Sequence, residues 1–82
     1  MVRARYFGIL AQKIGKKEED FQVTDVSDIL KMIKKEYGKE IHKIAKTSHI
    51  VVNEENAAYL KGFKTKLCDG DVVRFLPICG GG

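Results

Sequence analysis

The 82-residue chain has no tryptophan, one proline and two cysteines. It also lacks any apolar run near the ~20 residues that a membrane-spanning helix needs. The apolar stretch Tyr6-Phe7-Gly8-Ile9-Leu10-Ala11 follows Arg3 and Arg5, but Lys13 soon closes it, and it is shorter than the ~7–15 residue core of a secretory signal. Two cysteines, Cys68 and Cys79, are too few for the disulfide framework by which small secreted domains compensate for a thin core. A cytoplasmic protein is therefore expected. The scarcity of proline, with 44% apolar residues, excludes a disordered chain. The length allows one domain. A domain of this size buries only about 60% of the surface that its unfolded chain exposes. That leaves little room for a deep pocket with several catalytic groups, so a catalytic domain working alone is not expected.

What the chain has in quantity is charge: 15 Lys and Arg against 11 Asp and Glu, a net charge of +4. Twelve of the basic residues are lysines spread along the sequence, densest at Lys16-Lys17 and Lys34-Lys35. A nucleic-acid-binding segment would cluster Lys and Arg and interleave aromatic residues for stacking. The scattered pattern reads instead as a solvated surface, and neither nucleic acid nor membrane is an expected partner.

Alternation and helical spacing order the chain. Val2-Arg3-Ala4-Arg5-Tyr6-Phe7 has the period of a half-buried strand, with Val2, Ala4 and Tyr6 on one face and Arg3, Arg5 and Phe7 on the other. Ile9 to Ile14 suits one helical turn, and Asp20-Phe21-Gln22-Val23 a second strand antiparallel to the first. Val26, Ile29, Leu30, Ile33 and Tyr37 form one helical stripe. Asp25 is its N-cap, Asp28 adds a carboxylate in the first turn, Lys34 and Lys35 lie near its negative end, and Gly38 stops it. Ile41, Ile44 and Ala45 suggest a short further turn. His49 to Val52 reads as a strand, Ala57 to Leu60 as a short edge strand, and Val72 to Leu76 as the last strand after an Asp69-Gly70-Asp71 turn. One main helix packed on one face of a mixed sheet of four to five strands makes an α+β roll.

Most candidate chemistry fails on spacing. The glycines of Gly8 to Gly15-Lys16-Lys17 are too far apart for a phosphate loop, and no Ser or Thr follows the lysine. His42, His49, Cys68 and Cys79 lack the paired short spacings of a zinc site, so no metal is expected. Cys68 reads as a small apolar filler beside a turn. The last residues are different. Pro77 ends the ladder because it cannot donate a hydrogen bond, and Gly80-Gly81-Gly82 removes every Cβ and frees the backbone. Extended, residues 77–82 span about 20 Å, a thin thread tipped by a carboxylate and long enough to enter another protein's active site.

With these residues in place, the chain resembles the ubiquitin-like sulfur carriers of the MoaD and ThiS superfamily, most closely the MoaD family, the small subunit of molybdopterin synthase. The resemblance rests on Arg5-Tyr6-Phe7-Gly8 with Leu10, on Gly15 and Glu18-Glu19, and on Val26, Ile29 and Leu30. It continues through Val52-Asn53-Glu54-Glu55, Leu67-Cys68-Asp69-Gly70-Asp71-Val72, Phe75-Leu76-Pro77 and Gly81-Gly82. Where the family often ends Pro-Pro-Val-Ser/Ala-Gly-Gly, this chain has Pro77-Ile78-Cys79-Gly80-Gly81-Gly82. Its positive charge also departs from a family that is often acidic.

The resemblance implies a β-grasp domain over residues 1–76 and a flexible tail over 77–82. It implies that an ATP-using, E1-like (MoeB-like) enzyme adenylates the Gly82 carboxylate and that a sulfur donor converts it to a thiocarboxylate. The large, MoaE-like subunit of molybdopterin synthase would then use that sulfur on a pterin precursor. ATP belongs to the activating enzyme, and the chain binds no cofactor of its own. Phe7, Leu60, Leu76 and Pro77 are the expected partner contacts, with Gly80 and Gly81 as the tail. A ubiquitin-like protein modifier, or a sulfur carrier for tRNA thiolation or thiamine, is the alternative.

Overall fold

The computed structural model describes residues 1–78. Its strands are β1 (Val2–Tyr6), β2 (Glu18–Phe21), β3 (His49–Val52), β4 (Glu55–Asn56) and β5 (Val72–Leu76). They form one sheet in the order β2-β1-β5-β3-β4. β1 and β5 are parallel neighbours at its centre, and the other pairings are antiparallel. Three α-helices, α1 (Gly8–Ile14), α2 (Val26–Tyr37) and α3 (Lys39–Lys46), and two 3₁₀ turns, Ala57–Tyr59 and Gly62–Lys64, complete the described elements. This is the α+β β-grasp arrangement, with the first and last strands side by side.

The alternation read from the sequence decides which sheet face is covered. Val2, Ala4 and Tyr6 on β1, Val73 and Phe75 on β5, Ile50 and Val52 on β3, and Phe21 on β2 are all buried. They meet Val26, Ile29, Leu30 and Ile33 of α2, Leu10 of α1 and Ala45 of α3 in one core. Tyr6 and Phe75 pack with ring centroids 6.0 Å apart. α2 begins where Asp25 accepts a hydrogen bond from the Asp28 amide at 2.9 Å. Asp28 in turn accepts from the Thr24 amide and hydroxyl, at 3.1 and 3.0 Å, so the two carboxylates close the helix end reciprocally. The helix stops at Gly38, whose positive φ of 95° suits only a residue without Cβ.

Five expectations need correction. The segment at Ile41, Ile44 and Ala45 is a full eight-residue helix, α3, packed on α2, and α1 likewise extends to seven residues. The second strand spans Glu18–Phe21 rather than Asp20–Val23. It is displaced because Glu19, opposite Ala4, turns into the covered side, where Tyr6 and Tyr37 both donate hydroxyl hydrogen bonds to it. Ala57–Tyr59 is a 3₁₀ turn instead of an edge strand. Asn56 accepts from the Ala58 amide at 2.9 Å and curls the chain out of the ladder, leaving Glu55–Asn56 as the edge. Cys68 is exposed rather than a filler, and Leu67 supplies the buried side chain there.

The Glu19 carboxylate ties three elements together. It accepts from Tyr6 at 2.6 Å, from Tyr37 at 2.9 Å and from Lys16 at 3.3 Å. Burial, followed by the hydrogen bond to this carboxylate, pushes the Tyr6 hydroxyl far above the ordinary phenol range. The same two causes raise Tyr37.

Candidate functional site: the open sheet face

All three helices lie on one side of the sheet, so its other face is left without a covering layer. Residues that alternate away from the core occupy it: Arg3 and Arg5 of β1, followed by Phe7; Val72, Arg74 and Leu76 of β5; and His49 and Val51 of β3. Cross-strand register fixes their neighbours. Arg5 stands beside Arg74, Val51 faces Arg74, and His49 faces Leu76. Because Tyr6 pairs with Phe75, Phe7 and Leu76 lie side by side at the end where β5 leaves the sheet.

That end is closely built. A Cβ on Gly8 would sit 3.9 Å from Pro77 Cγ, so the turn after β1 rests on the proline that starts the exit segment. Gly8 holds φ at +56°, in the left-handed region. The Arg5 guanidinium lies over the Phe7 ring, 5.7 Å from its centroid, a distance that suits a cation–π contact. Arg5 Nε is 3.5 Å from Glu18 Oε1, an ion-pair contact too long for a hydrogen bond, and has no hydrogen-bond partner. Arg3 is better satisfied: it pairs with Asp20 at 3.0 Å and with Glu18 at 3.3 Å. Its hydrogen bond to Asp20 holds that carboxyl below its ordinary value.

Of the residues expected at a docking site, the structure brings Phe7, Leu76 and Pro77 together. The first two are half-buried rather than standing free as exposed anchors. Leu60, 40% exposed, stands apart from them. It lines an open depression of about 710 Å³ beside β3 and β5, together with Val52, Asn53, Thr65, Val72 and Arg74. Gly80, Gly81 and Gly82, together with Cys79, lie outside the described residues.

Sequence reasoning missed the polar frame of that depression. Asn53 takes a positive φ of 57° at the turn after β3. Its amide group donates to Asp71 at 3.2 Å, and its side-chain oxygen accepts from the Val72 amide at 3.1 Å. Arg74 donates to the Asn53 carbonyl at 2.8 Å. Asp71 Oδ2 accepts from the Cys68 amide at 2.8 Å, and the Met1 carbonyl accepts from the Gly70 amide at 2.9 Å. The start of the chain, the loop before β5 and the turn after β3 are thereby clamped around the sheet. Asn tolerates the left-handed conformation, which was the one signal in the sequence. The pairing of Asn53 with Asp71 follows only from strand register.

The small archaeal modifier protein 1 from Methanosarcina acetivorans superposes with a TM-score of 0.86 at 24% identity, covering 99% of this chain and 95% of that one. A Pyrococcus furiosus protein proposed as molybdopterin converting factor subunit 1 does so with a TM-score of 0.74 at 27% identity, over 93% and 94% of the two chains. Subunit 1 in the complex of both molybdopterin-converting factor subunits from Helicobacter pylori gives 0.70 at 22%, over 99% and 97%. No curated protein matches the chain by sequence. The ThiS family model matches residues 4–82, nearly the whole chain, and the chain belongs to the ThiS family, within the MoaD and ThiS group of ubiquitin-like sulfur carriers.

Proposed function

We propose that this chain is the sulfur-donating small subunit of a molybdopterin synthase, with the Gly82 carboxylate as its reactive group. The observation that carries the reading is the family match running through Gly82, joined to a central strand whose end is flanked by Phe7, Leu76 and Pro77. A free carboxylate is a poor electrophile. In the proposed sequence it attacks the α-phosphorus of ATP in an activating enzyme, pyrophosphate leaves, and an acyl-adenylate forms. Sulfide-level sulfur then adds to the acyl carbon and AMP departs, leaving a thiocarboxylate. In the large synthase subunit that sulfur attacks the pterin precursor, and water later restores the carboxylate. The chain's own residues do not perform these steps. They present the reactive end: glycines at 80–82 keep the thread narrow, and the sheet face fixes where it starts.

Phe7, Leu76 and Pro77 supply the apolar centre of the proposed docking face, Leu60 a second apolar point across the depression, and Arg5 and Arg74 the polar rim. Arginine beside an aromatic ring is the composition of interface hot spots. The molybdopterin reading draws on the likeness to the Pyrococcus furiosus protein, and the likeness to the small archaeal modifier protein 1 makes a protein modifier the alternative. Reconstitution tests the reading. The chain carrying a thiocarboxylate, mixed with a large synthase subunit and the pterin precursor, is expected to yield the dithiolene product and return as the carboxylate form. Retention of the sulfur, with no product, contradicts the assignment.

A further inference from the structure

The chain's surplus charge falls within one stretch of its sequence. Residues 31–46, the second half of α2 together with α3, hold six lysines and two glutamates, a surplus of four. That equals the net charge of the whole chain, because the other residues hold nine basic and nine acidic side chains. The lysines are 31, 34 and 35 on α2 and 39, 43 and 46 on α3, and all six are exposed. Their three- and four-residue spacing groups them on the outer face of each helix. The inward residues, Ile29, Ile33 and Ala45, fill the core. Among the described residues no ion pair involves any of the six, while Glu40 is taken by Lys13 of α1 at 3.2 Å. His42, between the two rows, senses the field. Partial burial, then Lys34 and Lys46, lower its affinity for a proton. α2 and α3 pack on each other, so the two rows of lysines stand on neighbouring helices, with exposed Lys61, Lys64 and Lys66 as a further basic group on the segment packed beside α2.

We propose that this α2–α3 face is a second binding surface, separate from the open sheet face, and that it takes the phosphate backbone of a nucleic-acid duplex without regard to sequence. The composition selects among anionic partners. Protein interfaces favour Arg, Tyr and Trp at their centres and are depleted in Lys, whereas this face has lysine alone. Lysine is a compact point charge that needs no planar partner and suits phosphate oxygens. Single strands require aromatic platforms for stacking. The one aromatic here, Tyr37, is half-buried with its hydroxyl committed to Glu19. Because the helices and the open sheet face lie on opposite sides of the sheet, a bound duplex leaves Phe7, Leu76 and Pro77 free. The inference does not depend on the proposed sulfur chemistry.

The test is fluorescence anisotropy of the full chain with a labelled DNA duplex and a labelled RNA duplex of mixed sequence, at about 50 and 200 mM salt. Six phosphate contacts predict a loss of affinity of roughly a thousandfold across that range. Two triple variants carry the same net charge: Lys34→Gln/Lys43→Gln/Lys46→Gln on the proposed face, and Arg3→Gln/Arg5→Gln/Arg74→Gln on the open sheet face, across the sheet from it. Gln matches Lys in helix propensity, and thermal unfolding checks that both variants fold. The first triple is expected to weaken binding at least tenfold more than the second. Equal losses in the two triples, or no binding at low salt, overturn the proposal. Polyglutamate competing as well as the duplex would also overturn it, in favour of an acidic protein partner.

Discussion

Tyr6→Phe isolates one polar interaction at the centre of the domain. Tyr6 is 2% exposed, and its ring packs on Phe75 at 6.0 Å. Removing the hydroxyl therefore opens no cavity beyond a single oxygen. What is lost is a 2.6 Å hydrogen bond to the Glu19 carboxylate. A hydrogen bond to a charged acceptor contributes about 1.5–3 kcal/mol. Glu19 keeps Tyr37 at 2.9 Å and Lys16 at 3.3 Å, so its own charge is not orphaned. That places the expected loss near the lower bound, about 1.5 kcal/mol, or a fall in Tm of roughly 6–12 °C for a domain of this size. The decisive assay is the same substitution in a Glu19→Ala background, followed by denaturant unfolding. There the Tyr6 hydroxyl has lost its carboxylate, and deleting a buried, unsatisfied group is neutral or stabilising. The cost should vanish or change sign. If Tyr6→Phe costs as much without Glu19 as with it, the hydroxyl acts through something other than this hydrogen bond and the reasoning fails.

Other outcomes follow from the same geometry. Asp25→Ala removes the N-cap of α2 and should destabilise the domain by about 1 kcal/mol in denaturant unfolding. Gly8→Ala meets no steric block, since Pro77 stays at ordinary contact distance, but it forces a Cβ into the left-handed region at a cost of about 1–2 kcal/mol. Thermal unfolding measures that, and binding of a partner at the Pro77 end should shift with it. Leu76→Asp puts a charge into the apolar centre of the open face. It should abolish capture by a large synthase subunit, while circular dichroism stays that of the parent.

Acid should also weaken the fold. The hydrogen bond from Arg3 holds Asp20, and those from Thr24 hold Asp28, below the ordinary value of 3.8. Their stabilisation is complete above that value and is lost as pH falls through the lowered ones. His42 is lowered from 6.5 chiefly by burial, so the unfolded chain takes up that proton first, and stability declines as pH drops below 6.5. Unfolding midpoints across this range check both signs.

Local chemistry made some elements legible in the sequence and left others hidden. α2 could be read to the residue, because Asp25, Asp28, the apolar stripe and Gly38 all describe the same helix. β1 and β5 followed from alternation, and with them the side of the sheet on which Phe7 and Leu76 lie. β2 was misplaced by two residues because its inward Glu19 is polar, and its partners Tyr6 and Tyr37 are distant in sequence. α3 was underestimated because its apolar side is only Ile41, Ile44 and Ala45 among lysines. The 3₁₀ turn at Ala57 depended on an Asn56 side-chain bond that competes with the ladder. The same limit applied to function. Gly81-Gly82 and Leu76-Pro77 are linear motifs, whereas the positive face joins two helices, and the frame of Asn53, Asp71 and Arg74 joins two strands and a loop.

The central claim is that Gly82 carries sulfur. Incubating the chain with ATP, an activating enzyme of the adenylating type and a sulfide-level donor, and then weighing it intact, tests that claim directly. The account predicts a mass increase equal to one oxygen exchanged for one sulfur, confined to the C-terminal peptide and absent without ATP. An unchanged mass, with the adenylating enzyme demonstrably active on another carrier, would contradict it.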